Sequence, residues 1–390
     1  MLMLQILFWA SVAAVVYHHA LYPVALRLLA RLRPARPVPP VPADAALPVV
    51  TLVIPAYQEA AFIALKLRDC ARLAYPRDRL HVIVACDGCT DDTVEIARAA
   101  LSSPDCAGLS AEVRAFPVNR GKVAVLNEVI ASIPDGIVAL SDASATLSAD
   151  ALMRAAAHFS RPEVGVVAGT YALKAAGSAG EAGYWAYQTA IKADEAALSA
   201  PFGVHGAFYL FRRALWAPLP GDTINDDVVL PMAIVAGGAR AVYDLKIVAT
   251  EEETSRRGQE FRRRVRISSG NVQQAVRLWR LADPRRPGLA FVFLSGKALR
   301  ALVPLLLVGA FLSNLVLAFA GIALYQLLLA GQIAFYLLAG MAMTHRGNLP
   351  RVARFAAYFV EGHAAGLVGG MRQIAGRDKG RWHRAGGAQP

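Results

Sequence analysis

The chain has 390 residues, 56% of them hydrophobic, and a formal net charge of +12. Its mean hydropathy of +0.39 is too apolar for an ordinary soluble enzyme of this length. The excess sits in the first 30 residues and after residue 288, which excludes a wholly soluble protein and leaves roughly 48 to 280 as a globular domain with a substantial core.

From the N-terminus, an apolar run from Leu4 to Ala30 carries no charge before Arg27 and is long enough to span a hydrocarbon core of ~30 Å. It lacks the basic start of a signal peptide and is longer than the apolar part of one, so it reads as an anchor over 1–32. Arg27, Arg31, Arg33 and Arg36 follow it, which by the positive-inside rule puts the next domain in the cytoplasm, at the inner (cytoplasmic) membrane. A semi-rigid Pro-rich linker occupies 33–48.

Val49–Ile54 is a continuous β-branched run, suited to a strand buried on both faces of a parallel sheet. A helical stretch from Glu59 to Ala74, a strand at 81–86, a helix from Val94 to Ala100 and a strand near 111–117 follow. A helix after Lys122 and a strand at 136–140 complete the alternation. That order predicts an α/β domain over 49–280 with a mostly parallel, doubly wound sheet, in which ligands bind at the carboxyl ends of the strands. Beyond it, a membrane region is expected over 281–375, with spans at about 299–320 and 321–344. The piece at 355–370 is interrupted by Glu361 and His363, and crossing the membrane would leave the basic tail, 376–390, outside; it reads as re-entrant or interfacial.

The four cysteines are Cys70, Cys86, Cys89 and Cys106. Cys86 and Cys89 have C-x-x-C spacing, but Cys86 ends a β run instead of opening a helix, and no second ligand pair stands at zinc-site spacing; reduced thiols are the expectation.

Polar clusters fall at the strand ends: Pro55-Ala-Tyr-Gln-Glu59, Asp87-Gly-Cys-Thr-Asp91, Asn119-Arg-Gly-Lys122 with Asn127, and Asp142-Ala-Ser144. Further on come His205-Gly206, Asn225-Asp-Asp227 and Arg263-Arg-Val-Arg266. Each aspartate alone is as readily a cap or turn residue, but their convergence on one sheet edge suits a nucleotide: Asp accepts from base or ribose, and Lys pairs with phosphate. An Asp after a buried strand can also hold Mg²⁺ or Mn²⁺ against a diphosphate.

Together these motifs resemble the family-2 glycosyltransferases of the GT-A fold, the membrane-bound polysaccharide-synthase-like branch. Pro55-Ala-Tyr-Gln-Glu59 is similar to P-x-Y-N-E, with Gln58 for Asn; Asp87 to Asp91 is similar to D-G-S-T-D, with Cys89 for Ser. The resemblance implies donor binding by Pro55, Ala56, Tyr57, Glu59, Asp87, Lys122, Asp142, Arg263 and Arg266, and a metal, Mg²⁺ or Mn²⁺, on Asp142 with Ser144. It implies a catalytic base at Asp227, with Asp226 the rival, taking the acceptor hydroxyl's proton during inverting transfer. It puts His205 and Gly206 near the acceptor, where a structural role for the histidine stands equally open. Ile267 stands where processive synthases carry a stacking Trp, so sugar transfer is implied but processive polymerisation is not. The implied partners are a nucleotide-sugar donor, a UDP-sugar by the resemblance alone, a saccharide or lipid-linked acceptor, membrane lipids and partner proteins of envelope or exopolysaccharide synthesis. No aromatic residues interleave the Arg run, which argues against nucleic acid. The alternative is a non-catalytic, nucleotide-sugar-binding or scaffolding subunit of an envelope polysaccharide complex.

Overall fold

The computed structural model describes the chain except for residues 35, 176–178, 254–256, 346–348 and 378–390, so the basic tail expected over 376–390 lies outside the described residues beyond Arg377. The described residues form two compact units, a helical one of 1–28 and 257–377, and an α/β one beginning at Leu29 and ending before the helix at Arg257.

The chain opens with α1 (Leu2–Val16), which passes through a π-helical turn at Tyr17–Leu21 into α2 (Tyr22–Arg31). The α/β unit then runs β1 (Val50–Ala56), α3 (Ile63–Ala71), β2 (Leu80–Asp87), α4 (Thr93–Leu101), β3 (Ser110–Phe116), α5 (Lys122–Ser132) and β4 (Ile137–Ser141). It continues β5 (Ala145–Leu147), α6 (Ala151–Phe159), β6 (Val164–Leu173), α7 (Ala179–Leu198), β7 (Phe208–Arg212), α8 (Asp226–Ala236) and β8 (Arg240–Glu251). The sheet order is β3-β2-β1-β4-β7-β6-β8-β5. The first four strands are parallel, as their apolar runs require; every residue of β1 and of β4 is buried. The second half is mixed, because β7 inserts antiparallel between β4 and β6, and β5 closes the edge antiparallel to β8. β1 pairs with β4 only from Val50 to Val53, so Pro55, which has no N–H to give, stands past the end of that ladder.

A clasp of buried charge joins α6 to β8. Arg154 Nη2 donates to both oxygens of Asp244 at 3.1 and 3.0 Å, and the amide of Lys246 donates at 2.9 Å. His158 Nε2 lies 3.0 Å from the same carboxylate. Burial alone would raise the Asp244 pKa, but the hydrogen bonds from His158, Lys246 and Arg154 outweigh it and bring the carboxyl down to about 2.

The helical unit comprises α1 and most of α2, then α9 (Arg257–Arg277), α10 (Pro287–Phe291), a π-helical turn at Val292–Ala298, α11 (Leu299–Phe319), α12 (Ala323–Thr344) and α13 (Arg351–Ile374). Among the described residues, three helices are long and apolar enough to cross a membrane: Leu2–Arg31, Pro287–Phe319 and Ala323–Thr344. The second begins twelve residues before the apolar run at 299, since Pro287 stands in its first turn where a missing N–H costs nothing. The segment at 355–370 is the middle of α13, one unbroken helix that is not among those three. α13 packs along α9: a Cβ on Gly369 would come 2.4 Å from the Val265 carbonyl oxygen, so only glycine permits this crossing. Ser269 Oγ donates to Gln373 Oε1 at 3.1 Å, and the Arg264 guanidinium lies 4.3 Å over the Tyr358 ring.

The clasp yields a signed expectation. Because the Asp244 pKa is depressed in the folded chain, its contribution is present above the ordinary Asp value of ~3.9 and disappears as pH falls toward about 2. Asp244→Asn is expected to lower stability at neutral pH by about 2–3 kcal/mol, with the gap to wild type closing in acid. Thermal unfolding of the full chain in nanodiscs at a series of pH values checks both statements.

Candidate active site

The polar clusters converge beyond the carboxyl ends of β1, β2 and β4. Pro55 and Ala56 are buried, and Tyr57, Gln58 and Glu59 form a half-buried lip. Gln58 is the one non-glycine residue among those described with a left-handed backbone, at φ 60°. That conformation is costly for a residue with a Cβ, and its side chain offsets the cost by latching the neighbouring loop. Gln58 Oε1 accepts from the amides of Thr90 (3.2 Å) and Asp91 (3.0 Å), while Nε2 donates to Thr90 Oγ1 (2.6 Å). The Glu59 amide donates to Thr93 Oγ1 at 2.8 Å, and that of Ala60 to Asp91 Oδ2 at 3.3 Å. All four cysteine thiols are free, and Cys89 donates to the Ala56 carbonyl at 3.5 Å.

Asp87, at the end of β2, is fully buried. Its Oδ1 accepts from the Arg120 amide at 2.9 Å and its Oδ2 from the Gly121 amide at 2.8 Å. Its first job is therefore to hold the 119–122 turn, and any donor contact has to coexist with those two bonds. Gly88 is confined to glycine by φ 63° and by the Asn119 nitrogen, which lies 2.2 Å from where a Cβ would stand. Asn127 closes the other side through a reciprocal pair, donating to the Leu219 carbonyl at 2.8 Å and accepting its amide at 2.9 Å.

This turn delivers Lys122 to the first position of α5, with Nζ 3.2 Å from Asp142 Oδ1 and 3.4 Å from Asp226 Oδ2. Burial disfavours its charge, but Asp142, Asp226 and Asp227 together overcome that and raise its pKa above the usual lysine value. Asp226 and Asp227 occupy the first turn of α8, where unpaired helix N–H groups favour negative charge. Asp226 is buried; Asp227 is half-buried, and its Oδ2 lies 3.4 Å from the position a Cβ would take on Gly206. Gly206 thus leaves room beside the Asp227 carboxylate.

His205 is buried, with Nε2 3.1 Å from Tyr243 Oη. Its pKa falls well below the ordinary value, first through burial and then through Lys192, so the ring is neutral. The rings of Tyr171 and Trp185 pack 5.8 and 5.7 Å from it. A positioning role is what this packing supports.

Three residues at the site belong to none of the sequence motifs. Lys66 is buried in α3, donating from Nζ to Ser141 Oγ at 2.7 Å and to the Ala145 carbonyl at 2.5 Å, one on each side of Asp142. Tyr209 on β7 is fully buried, and its hydroxyl has no hydrogen-bond partner among the described residues. Burial and then Asp226, Asp227 and Asp142 raise its pKa, so it remains a neutral donor beside three carboxylates. Trp185 is the third, although the aromatic run Tyr184-Trp185-Ala-Tyr187 is a visible hint. Arg263 and Arg266, by contrast, stand exposed on α9 of the helical unit.

For a metal, Asp142 is half-buried, and the Ser144 carbonyl is taken by the Glu252 amide at 2.9 Å. Among the described residues, no three His, Cys, Asp or Glu side chains form a metal's ligand set. Asp142 thus offers a single partly accessible carboxylate at this edge, with the Lys122 ammonium 3.2 Å from one of its oxygens.

A family model described as glycosyltransferase-like family 2 matches residues 48–270. Two relatives, β-monoglucosyldiacylglycerol synthases of Nostoc sp. and Trichormus variabilis, are each 31% identical over 121 residues, which is 31% of this chain and only 25% of either relative. The mannosyltransferase PcManGT from Pyrobaculum calidifontis, solved with GDP-Man and Mn²⁺, superposes with a TM-score of 0.72 over 94% of this chain and 99% of its own, at 24% identity. With the motifs, the sheet and the family match in agreement, this chain belongs to glycosyltransferase-like family 2, a glycosyltransferase on the GT-A fold.

Proposed function

We propose that the chain transfers a sugar, with inversion, from a nucleoside-diphosphate sugar to a saccharide or lipid-linked acceptor at the cytoplasmic face of a membrane. The observation that carries the reading is the gathering of Asp142, Asp226 and Asp227 around the Lys122 ammonium at the carboxyl end of a parallel sheet. Asp142 belongs to the donor side. Asp142 would hold a Mg²⁺ or Mn²⁺ ion together with the diphosphate, and the ion would supply charge neutralisation for the departing nucleotide. Lys122 remains cationic through the assay range and adds to that neutralisation without a proton transfer of its own.

Asp227 is the base: it is the more accessible of the pair, and it faces the space that Gly206 leaves open. There it takes the proton of the acceptor hydroxyl as that oxygen attacks the anomeric carbon. Asp226 is buried against Lys122 and holds the ammonium in register. The glycolipid synthases' names support a lipid acceptor, and the GDP-Man bound by PcManGT adds GDP to UDP among the donors to be tried.

Release of UDP or GDP from a panel of nucleotide sugars, with the full chain in nanodiscs and products read by mass spectrometry, tests the reading. Asp227→Asn is expected to cut kcat about 10²–10⁴-fold with little change in donor KM. If Asp226→Asn is dead and Asp227→Asn retains wild-type kcat, the base is misassigned. Gln58→Ala unlatches the lip from the 87–91 loop and is expected to raise donor KM several-fold, about 1 kcal/mol of lost positioning, while kcat stays near wild type. For the topology, a green fluorescent reporter fused after Ala43 is expected to fluoresce and alkaline phosphatase at the same point to be inactive; the reverse pattern would overturn the cytoplasmic placement.

A further inference from the structure

The helical unit contains a cluster that sugar transfer does not use. His18 and His19 lie in the π-helical turn after α1, and His363 lies on α13. Ring centroids are 4.9 Å apart for His18 and His19, and 5.2 Å for His19 and His363. Arg300, in the first turn of α11, is within electrostatic reach of all three rings. Among the described residues, no carboxylate forms an ion pair with any of the three histidines.

Both helices that meet here are locally distorted. The π-helical turn at Val292–Ala298 faces the one at Tyr17–Leu21: Tyr17 Oη lies 2.8 Å from Ser295 Oγ, and His18 Nδ1 lies 3.0 Å from the Ser295 carbonyl oxygen. A carbonyl can only accept, so His18 carries its proton on Nδ1. π-helical turns interrupt the regular ladder and recur at functional sites.

The position along the helices is equally specific. α1 and α11 run antiparallel, with Gly309 beside Ser11 and Ser295 beside Tyr17. The cluster lies where the π-helical turn follows α1 and where the 21 residues of α11 start, within the longer continuous helices Leu2–Arg31 and Pro287–Phe319. With α11, ~31 Å long at 1.5 Å per residue, taken as the stretch that fills a hydrocarbon core, the cluster stands at headgroup level. His19 and Ala20 are exposed there, and Leu21 and Val24 present apolar surface next to them. The unit as a whole is strongly basic: residues 1–28 and 257–377 carry 17 Lys and Arg against 3 Asp and Glu.

Three imidazoles beside a guanidinium disfavour a divalent metal, and no three-ligand metal set exists among the described residues. A purely packed aromatic cluster would be served by phenylalanine, without placing three ionisable rings near an arginine. We propose that His18, His19, His363 and Arg300 form a binding site for the phosphate of a membrane lipid, its acyl chains lying along the apolar surface of the helices. The His19 and His363 N–H groups and the guanidinium supply charge-assisted hydrogen bonds to the phosphate oxygens, while His18, its N–H given to the Ser295 carbonyl, packs against His19 and positions it. Headgroup-level placement selects a lipid phosphate over the free anion.

The test uses the full chain in detergent micelles, titrated with phosphatidic acid, phosphatidylcholine or inorganic phosphate, with bound lipid counted by native mass spectrometry. Wild type is expected to retain phosphatidic acid over phosphatidylcholine, with inorganic phosphate failing to displace it. His19→Gln/His363→Gln is expected to weaken phosphatidic acid about tenfold, the weight of one charge-assisted hydrogen bond, while the charge control Arg372→Gln stays near wild type. Equal retention by wild type and the double variant overturns the site. Ready displacement by inorganic phosphate, or equal binding of phosphatidylcholine, overturns the lipid assignment. Should the double variant fail to fold, ¹⁵N-histidine resonances of the wild type decide: they shift with phosphatidic acid and not with phosphatidylcholine, and their indifference to both sinks the proposal.

Discussion

Three carboxylates drawn together repel one another unless a cation stands among them, and in this chain that cation is the Lys122 ammonium. Much of what surrounds it holds that charge in place. Asp87 fixes the turn that precedes Lys122, Lys66 braces the strand end that carries Asp142, and Asn127 ties α5 to the segment leading into α8. None of these braces needs to touch a substrate. They set where the opposite charges stand before one arrives, which is the condition for electrostatic catalysis without reorganisation.

The two units present different solvents to the chain. In the α/β unit, strands with every residue buried hide their backbone polarity in the sheet and bring their polar residues to one edge. In the helical unit, the apolar faces look outward and polar groups are gathered between helices, as with Asn314 Nδ2 and Gln332 Oε1, 2.7 Å apart. Ionisable groups that survive in such a unit require a reason, and the histidine cluster is the clearest instance.

How much of this was legible beforehand follows from the range of each interaction. β1 to β4 and the clusters at their ends are local signals: an apolar run followed at once by Asp or Asn reads the same in sequence and in space. Asp142, Asp226 and Lys122 were each visible, but their meeting was not, because Lys122 and Asp226 are joined by a sheet order that inserts β7 beside β4. Lys66 and Tyr209 were silent for a related reason. A lysine in an amphipathic helix reads as a solvated residue, and a tyrosine in a β run reads as core; only tertiary burial makes one a brace and the other a neutral donor near the carboxylates. The antiparallel second half of the sheet was unreadable because β7 is a short apolar strand whose direction depends on where α7 returns the chain.

The way Asp87 grips its loop explains why that loop can be read as a motif at all. The carboxylate holds residues 120 and 121 by their main-chain N–H groups, so at 120 the side chain is irrelevant to the grip and only the presence of an amide hydrogen counts. Nineteen amino acids satisfy that demand and proline does not. The position between Asn119 and Gly121 is therefore an address written in backbone: the fold leaves the side chain at residue 120 open and keeps the position of Lys122 fixed.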